Sequence, residues 1–318
     1  MERFQPIIDE LNNFILDYCQ TKRTILNITV DDLIKGGGKR LRPVLLMLAG
    51  GFGDGSSNSK KLLPLAAGIE LLHMATLVHD DIIDEAKLRR GQITAQERFG
   101  KNVAVFVGDY LLTKSYSLLS ENLSKHTLLK LNKIVRLVCV GEIDQFEEKF
   151  DINITIKNYL RRIRRKTALL FAISTYIGGY ESGVRAKHLH LLYNFALEMG
   201  MAFQIRDDLL DFTGDEIKTG KKVGQDLSAG IYTLPVICLL RDNDHKDNIA
   251  CILKKETLKS EDIMKISQMV KESTALDDSK EIARKFLKKS MDNLEQLPQI
   301  KAKTDIKYIV DRQLKRQK

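Results

Sequence analysis

The chain has 318 residues, 43% of them hydrophobic, and a formal net charge of +9 at neutral pH. This length is enough to bury the core of one large domain or two smaller ones. Aromatic residues make up only 7% and do not alternate with basic residues, so a surface that stacks on nucleic-acid bases is not indicated. The charge instead indicates a phosphorylated substrate or an anionic membrane surface.

The N-terminal segment and the cysteines indicate the cellular location of the protein. The segment 1–20 places acidic residues among its apolar positions, so we expect an amphipathic helix and not a signal peptide. We expect no apolar run long enough to cross a bilayer. The cysteines lack metal or redox spacing and are expected to be reduced thiols in the cytosol: Cys19, Cys139, Cys238 and Cys251. The sequence therefore predicts a cytoplasmic protein.

Helical periodicity dominates, and no segment alternates clearly enough to predict a strand. Helices are predicted over residues 4–19, 40–50, 61–84, 102–120, 127–150, 156–178 and 186–212, with more polar helices after Pro235. Loops are predicted at 53–60, from the first acidic motif to Gly100, and at 213–230. We predict an all-α fold: one domain over 1–318 around a deep central cavity, with its motifs in about 30–240 and C-terminal helices over about 235–318.

The helix predicted over 61–84 ends with three aspartates, Asp80, Asp81 and Asp84. Arg89 and Arg90 follow this acidic motif in the sequence. Residues four apart share a helix face at about 6 Å along the axis, so Asp80 and Asp84 point the same way. Their repulsion is costly unless a cation binds, and Mg²⁺ accepts one or two carboxylates plus substrate phosphates. Taken alone, the motif is equally well explained as a solvated helix end.

A second motif repeats the spacing at the end of another apolar helix, with Asp207, Asp208 and Asp211. Two such helix ends facing each other across a cavity could hold several Mg²⁺ ions, and the metals would need phosphate oxygens to complete their shells. The pair therefore predicts a diphosphate site in which the metal ligands are Asp80, Asp81, Asp84, Asp207, Asp208 and Asp211.

Basic side chains that could bind a diphosphate lie elsewhere in the sequence. Three glycines precede Lys39 and Arg42 at a helix start, where backbone amides and a bidentate guanidinium suit a diphosphate. Lys166 and Lys221 could approach a phosphate from the other half of the chain. His73 lies two turns before Asp80 and is interpreted as a substrate contact, although a lone histidine on an apolar helix is usually a core residue.

Two further side chains beside the motifs have open interpretations. His79, next to Asp80, is interpreted as a structural or supporting residue. Gln204, one turn before Asp208, could bond a phosphate or join two helices.

In this order, GGKRLRP, LVHDDIIDEAKLRRG, RRKTALL and GMAFQIRDDLLDFTGDEIKTGKKVGQDL resemble the motifs of the trans-isoprenyl (polyprenyl) diphosphate synthases, over about residues 30–240. The resemblance is to the long-chain type, such as the catalytic component of hexaprenyl or heptaprenyl diphosphate synthase. It implies the isoprenoid synthase fold, a dimer, and Mg²⁺-assisted joining of isopentenyl diphosphate to an allylic diphosphate (farnesyl or geranylgeranyl). The allylic bond ionises, isopentenyl diphosphate attacks, and a proton is eliminated.

The resemblance also implies residue roles. About three Mg²⁺ ions per site would be held by Asp80, Asp84 and Asp207, supported by Asp211. The catalytic set would be Asp80, Asp84, Asp207 and Lys166. Isopentenyl diphosphate would be bound by Lys39, Arg42, His73 and Arg90. The allylic diphosphate would be bound by Arg89, Lys166, Thr167, Gln204 and Lys221. Ile231 stands where family members often have a lysine, so one allylic contact is missing.

Product length is predicted from Ala75 and Thr76, about one turn below Asp80. Short-chain members of the family carry a bulky aromatic residue there, as the floor of the pocket. Small residues imply a deep tunnel and a product longer than geranylgeranyl, as used for quinone side chains. The alternative is that they are small only because helices pack closely.

Several alternatives remain: a short-chain synthase, a catalytic subunit that needs a small partner, a non-catalytic subunit, a phosphohydrolase, and a terpene cyclase or head-to-head synthase. A non-catalytic subunit would lose acidic residues that this chain keeps. A phosphohydrolase needs clustered histidines, and the remaining ones lack that context: His126, His188, His190 and His245. A cyclase would not need an isopentenyl diphosphate site.

The expected partners are the two substrates, not nucleic acid, and either a second copy or a small regulatory subunit. Basic residues at Arg161, Arg162, Arg164 and Arg165 and over 312–318 are interpreted as solvated faces or as a peripheral membrane contact for product release.

Overall fold

The computed structural model describes residues 1–53, 59–213, 224–255 and 257–315. Apart from one pair of two-residue strands, the regular structure in these ranges is helical, which confirms the all-α prediction. The helices are α1 Gln5–Cys19, α2 Thr24–Lys35, α3 Leu41–Gly50, α4 Ser59–Ile83, α5 Ala95–Phe99, α6 Lys101–Asn122, α7 Lys125–Glu147, α8 Ile156–Ile163, α9 Leu169–Glu181, α10 Ala186–Thr213, α11 Gln225–Ser228, α12 Leu234–Leu239, α13 Lys246–Leu253, α14 Ser260–Glu272, α15 Ala275–Glu295 and α16 Lys301–Val310.

Most of the predicted helices begin and end close to their predicted positions, but α2, Thr24–Lys35, and the short α5, Ala95–Phe99, were not predicted. Thr155 caps α8, because its hydroxyl accepts a hydrogen bond from the Asn158 backbone amide at 3.1 Å. A π-helical turn over Arg164–Ala168 joins α8 to α9, and such turns are frequent at functional sites. The predicted loop at 53–60 lies mostly outside the described residues, as does much of that at 213–230.

The segment after the first acidic motif is not the loop that we predicted. Strand β1, Leu88–Arg89, pairs antiparallel with β2, Gln92–Ile93. The two residues between them, Arg90 and Gly91, both have positive φ angles, 51° and 78°, as the tight turn of a two-residue hairpin requires. Strands of two residues are too short to show alternation, so the sequence pattern could not reveal them.

Chain contacts define two compact units. The first comprises the described residues of Met1–Leu131, Ile173–Leu192 and Pro298–Ile309. At its centre α4 packs closely on α6. There is no space for a side chain at Gly68, because an added Cβ atom would lie only 2.6 Å from the Leu119 side chain. The Ser115 hydroxyl donates to the Gly68 carbonyl at 2.7 Å. The first acidic motif therefore ends a helix that is fixed along its length.

The second unit comprises the described residues of Asn132–Ala172, Tyr193–Leu297 and Val310–Lys318. Its core includes fully buried aromatic side chains at Tyr159, Phe171, Phe195, Phe212 and Tyr232. Helix α10 packs directly on the π-helical turn, since a Cβ on Gly200 would lie 2.7 Å from the Ala168 Cα. The prediction of one domain around a central cavity stays a prediction.

Helix α4 is long and apolar enough over Lys60–Ile83 to cross a membrane by length and composition, contrary to our expectation. However, 67% of its most apolar window is buried inside the protein. A helix at the centre of a protein core passes the same test, so the finding is weak evidence for a membrane span.

Candidate active site

The first acidic motif closes α4. Asp80 is half-buried and Asp84 is exposed, whereas Asp81 is buried. The Asp84 amide donates to the Asp80 carbonyl at 2.8 Å, so the helical spacing continues through the motif. Asp80 and Asp84 therefore lie one turn apart on one face, as predicted, and Asp81 points elsewhere.

Asp81 holds the hairpin. Its carboxylate accepts a hydrogen bond from Arg89 Nε at 2.7 Å. Burial raises the pKa of Asp81, while the charge and hydrogen bond of Arg89 oppose that shift. The amide of Gln96 donates to the carbonyls of Asp81 and Ala86, at 2.7 and 2.9 Å. The middle aspartate of this motif thus fixes an arginine that the sequence assigns to the allylic diphosphate.

The glycine loop and the hairpin meet through arginine. Arg90 Nη1 donates to the Gly37 carbonyl at 2.6 Å. Arg40 is buried and forms a 2.7 Å ion pair with Glu70, so it is a structural residue. Arg42 is half-buried, and burial lowers the pKa of its guanidinium to about 10, with Glu70 opposing and Arg90 adding to the shift. Arg42 remains charged at neutral pH.

His73 lies beside these guanidinium groups. Its pKa is well below the usual range, first because of burial and then because of the charges of Arg42, Arg90, Arg89 and Arg40. The imidazole is therefore neutral at physiological pH. The structure thus brings together three of the four residues predicted for isopentenyl diphosphate; the fourth, Lys39, is exposed just before α3.

His79 packs against α6. A Cβ on Gly108 would lie 2.2 Å from His79 Nε2, and that nitrogen lies 3.4 Å from Asp109 Oδ1. Glycine at position 108 provides the space for the imidazole. The contacts agree with the structural interpretation of His79.

The second acidic motif lies in the last two turns of α10. Asp207 is exposed, Asp211 is half-buried and Asp208 is buried. Asp208 accepts hydrogen bonds from the Tyr159 hydroxyl at 2.6 Å and from Gln204 Nε2 at 2.8 Å. Burial raises the pKa of Asp208 to about 7 although both hydrogen bonds lower it. Here the middle aspartate is held by neutral donors.

The predicted allylic residues Lys166 and Thr167 lie on the π-helical turn. Thr167 Oγ1 donates to Gln204 Oε1 at 2.8 Å. Lys166 Nζ forms a 2.7 Å ion pair with Glu142. The structure thus joins Thr167 and Gln204 in one network with the second acidic motif. Lys221 lies outside the described residues.

Ile231 follows Gly230, whose φ angle is 74°. The Ile231 amide donates to the Asp226 carbonyl at 2.9 Å. Its half-buried side chain offers no charge at the place where relatives of the predicted family often have lysine.

The donor set suits Mg²⁺. Within the described ranges, no three His, Cys, Asp or Glu side chains stand together as a metal cluster. Mg²⁺ does not require one, because it is usually bound by one or two carboxylates with waters and substrate phosphates. The pairs Asp80 with Asp84 and Asp207 with Asp211 offer hard oxygen ligands of that kind on one helix face each.

Ala75 and Thr76 have different surroundings. Ala75 is 1% exposed and lies two turns after Gly68, on the side of α4 that meets α6. Thr76 is half-buried, and its hydroxyl donates to the His73 carbonyl at 2.8 Å. One turn before Asp207, by contrast, Phe203 packs against Phe171 with 5.6 Å between ring centroids.

Sequence reasoning missed Tyr159, Gln96 and Glu142, which hold Asp208, the hairpin and Lys166. A tyrosine on the buried side of a basic amphipathic helix was the only available signal for Tyr159. Nothing in the local sequence distinguishes the other two from surface residues.

Comparison with known proteins identifies this all-α chain as a prenyltransferase of the isoprenoid synthase fold, which agrees with its two helices that end in paired aspartates. Residues 23–270 match the family model described as polyprenyl synthetase. The chain belongs to the polyprenyl synthetase family, which confirms the predicted fold, family and enzyme class.

Individual relatives and a solved structure support the family assignment. Heptaprenyl diphosphate synthase component 2 of Bacillus subtilis is 38% identical over 87% of this chain and 78% of its own length. Geranylgeranyl diphosphate synthase of Sulfolobus acidocaldarius is 32% identical over 99% of this chain and 98% of its own. The crystal structure of heptaprenyl diphosphate synthase from Staphylococcus aureus matches with a TM-score of 0.95 at 32% identity, covering 99% of each chain.

Proposed function

We propose that the chain is a trans-polyprenyl diphosphate synthase that condenses isopentenyl diphosphate with farnesyl or geranylgeranyl diphosphate. The observation that carries the proposal is the grouping of Arg42, Arg89, Arg90 and neutral His73 in the unit that also carries Asp80 and Asp84. Guanidinium groups bind diphosphate oxygens bidentately. A neutral imidazole can contact the diphosphate while the guanidinium groups balance its charge.

The allylic diphosphate is assigned to both acidic motifs. Asp80 and Asp84, with Asp207 and Asp211, would hold about three Mg²⁺ ions, and Arg89, Lys166, Thr167, Gln204 and Lys221 would bind the diphosphate. Bound Mg²⁺ would neutralise the charge that develops on the departing diphosphate. In the structure Lys166 forms a 2.7 Å ion pair with Glu142. To bind the diphosphate, Lys166 would have to leave Glu142 and contact a phosphate oxygen. Apolar walls of the site would keep water from the allylic carbocation that forms when the diphosphate leaves.

We further propose a product longer than geranylgeranyl, for example for a quinone side chain. Support comes from the half-buried Thr76 one turn below Asp80, against Phe203 one turn below Asp207. A product chain growing along α4 would meet the small side chain of Thr76 one turn before the first motif. The equivalent position of α10, one turn before the second motif, carries the aromatic ring of Phe203. The relatives named heptaprenyl diphosphate synthase support the same assignment.

A partner subunit and a cytoplasmic location are part of the proposal. One relative is named as component 2 of a synthase, which supports a heteromer with a small subunit; a homodimer is the alternative. Exposed apolar side chains three residues apart on α7, Val140, Ile143 and Phe146, support a protein contact on that face. A peripheral membrane contact would receive the insoluble product.

The test uses the purified chain with Mg²⁺, labelled isopentenyl diphosphate and farnesyl diphosphate, followed by dephosphorylation and sizing of the products. We expect a ladder that extends beyond geranylgeranyl. A ladder ending at geranylgeranyl would establish the short-chain alternative. Absence of incorporation, both alone and with a co-purified small subunit, would overturn the proposal.

A further inference from the structure

Tyr159 is a fully buried residue of α8 whose hydroxyl donates to Asp208 Oδ2 at 2.6 Å. Its ring lies 5.7 Å from the Arg162 guanidinium. Arg162, which we interpreted from the sequence as part of a solvated or membrane-contacting face, is instead buried. It is fixed by a 2.8 Å ion pair with Glu148 and a 2.7 Å hydrogen bond to the Tyr232 carbonyl. Tyr159 is therefore held at both its ring and its hydroxyl.

The hydrogen bonds that start at Tyr159 have a defined direction. Asp208 accepts from the tyrosine with one oxygen, and its other oxygen accepts from Gln204 Nε2 at 2.8 Å. The Gln204 amide nitrogen must face Asp208, so its carbonyl oxygen faces Thr167. The Thr167 hydroxyl donates to that oxygen at 2.8 Å. Each side chain in the series thus determines the orientation of the next.

We propose that Tyr159 is a positioning residue that acts through Asp208 and Gln204 to fix Thr167, next to Lys166, in the allylic diphosphate site. This inference rests on the proposed function. Tyr159 would touch neither substrate nor metal. Its hydroxyl would keep the Asp208 carboxylate turned into the protein, which leaves Asp207 and Asp211 as the two carboxylates of this motif assigned to Mg²⁺.

A second buried tyrosine in the same unit provides a matched control. Tyr232 is as fully buried as Tyr159, but its hydroxyl has no hydrogen-bond partner among the described atoms. Tyr159→Phe and Tyr232→Phe each remove one buried hydroxyl and keep the ring. Only the first removes a hydrogen bond that reaches the acidic motif.

The experiment compares both variants with the wild type in steady-state condensation, with each substrate and Mg²⁺ varied separately. Binding of the unreactive analogue farnesyl thiodiphosphate is measured by calorimetry in Mg²⁺. For Tyr159→Phe we expect a loss of about 10–100-fold in kcat/KM for the allylic substrate, the range seen when a supporting partner of a metal site is removed. The KM for isopentenyl diphosphate should stay unchanged, as should all constants of Tyr232→Phe.

A double-mutant cycle with Gln204→Met separates positioning from simple destabilisation. If Tyr159 acts through Gln204, Tyr159→Phe should cost little more in the Gln204→Met background. Full additivity, or a loss of active enzyme with unchanged KM values and unchanged analogue affinity, would overturn the inference. A wild type that neither condenses the substrates nor binds the analogue would instead contradict the proposed function, and this inference with it.

Discussion

The two acidic motifs share one spacing and differ in how their middle aspartates are held. Asp81 is bonded by a guanidinium group, that of Arg89. Asp208 is bonded by two neutral groups, the Tyr159 hydroxyl and the Gln204 amide. In both motifs the outer aspartates are more exposed than the middle one.

Equal spacing does not give the aspartates of a motif equal roles. At Asp81 a positive charge offsets burial, whereas at Asp208 burial raises the pKa to about 7. The first motif is therefore coupled to a partly exposed arginine that could contact substrate, and the second to a buried network of neutral hydrogen-bond donors. Four predictions test this difference.

The largest expected effect comes from the outer aspartates. Asp80→Ala and Asp207→Ala should each lower kcat about 10³-fold, because several kcal/mol of charge stabilisation on the leaving diphosphate would be lost. Steady-state incorporation of labelled isopentenyl diphosphate measures this. Asp277→Ala removes an exposed aspartate of α15 and should leave kcat unchanged. Equal activity of either motif variant and this control would remove that motif from the mechanism.

The second effect is on the pH dependence of stability without metal. Since the folded pKa of Asp208 is about 7 and the unfolded value is near 4, the folded state binds more protons between these limits. Stability should therefore fall as pH rises from about 4 to 7, by at most about 4 kcal/mol, and level off above 7.

Urea unfolding in EDTA across this pH range tests the slope. Asp208→Asn cannot ionise, so its stability should fall less over the same interval. Parallel profiles for the wild type and the variant would show that Asp208 ionises normally in the fold.

The third effect compares the two middle aspartates directly. Asp81→Asn removes the charge that pairs with Arg89 and should cost about 2 kcal/mol, less than a fully buried pair because Arg89 is about one-third exposed. Asp208→Asn removes no charged partner and keeps one acceptor for its neutral donors, so at pH 7 it should cost less than Asp81→Asn. Denaturant unfolding of both variants measures the difference; the reverse order would contradict the contrast between charged and neutral partners.

The smallest effect in free energy concerns product length. Thr76→Phe should shorten the product while the protein stays folded, because Thr76 is only half-buried. Ala75→Phe should mainly destabilise the protein, since Ala75 is 1% exposed on the side of α4 that meets α6. Sizing of the products and thermal unfolding of both variants distinguish these results. An unchanged product from folded Thr76→Phe would remove the tunnel argument.

Much of the fold was predictable because α1, α4 and α10 carry long apolar patterns and clear breaks. The hairpin at Arg90 was not, because its strands are two residues long. The outer aspartates followed from the i, i+4 rule. The different fates of Asp81 and Asp208 depend on contacts 8 and 49 residues away in sequence, with Arg89 and Tyr159, which no local pattern contains.

The central claim is that both motifs serve one allylic diphosphate. The most direct test measures the Mg²⁺-dependent affinity of farnesyl thiodiphosphate for the wild type, Asp80→Asn and Asp207→Asn. We predict that each variant binds the analogue at least about tenfold more weakly, because each loses a carboxylate that holds Mg²⁺ against the diphosphate. Unchanged affinity in either variant would contradict the account, since that motif would then act elsewhere.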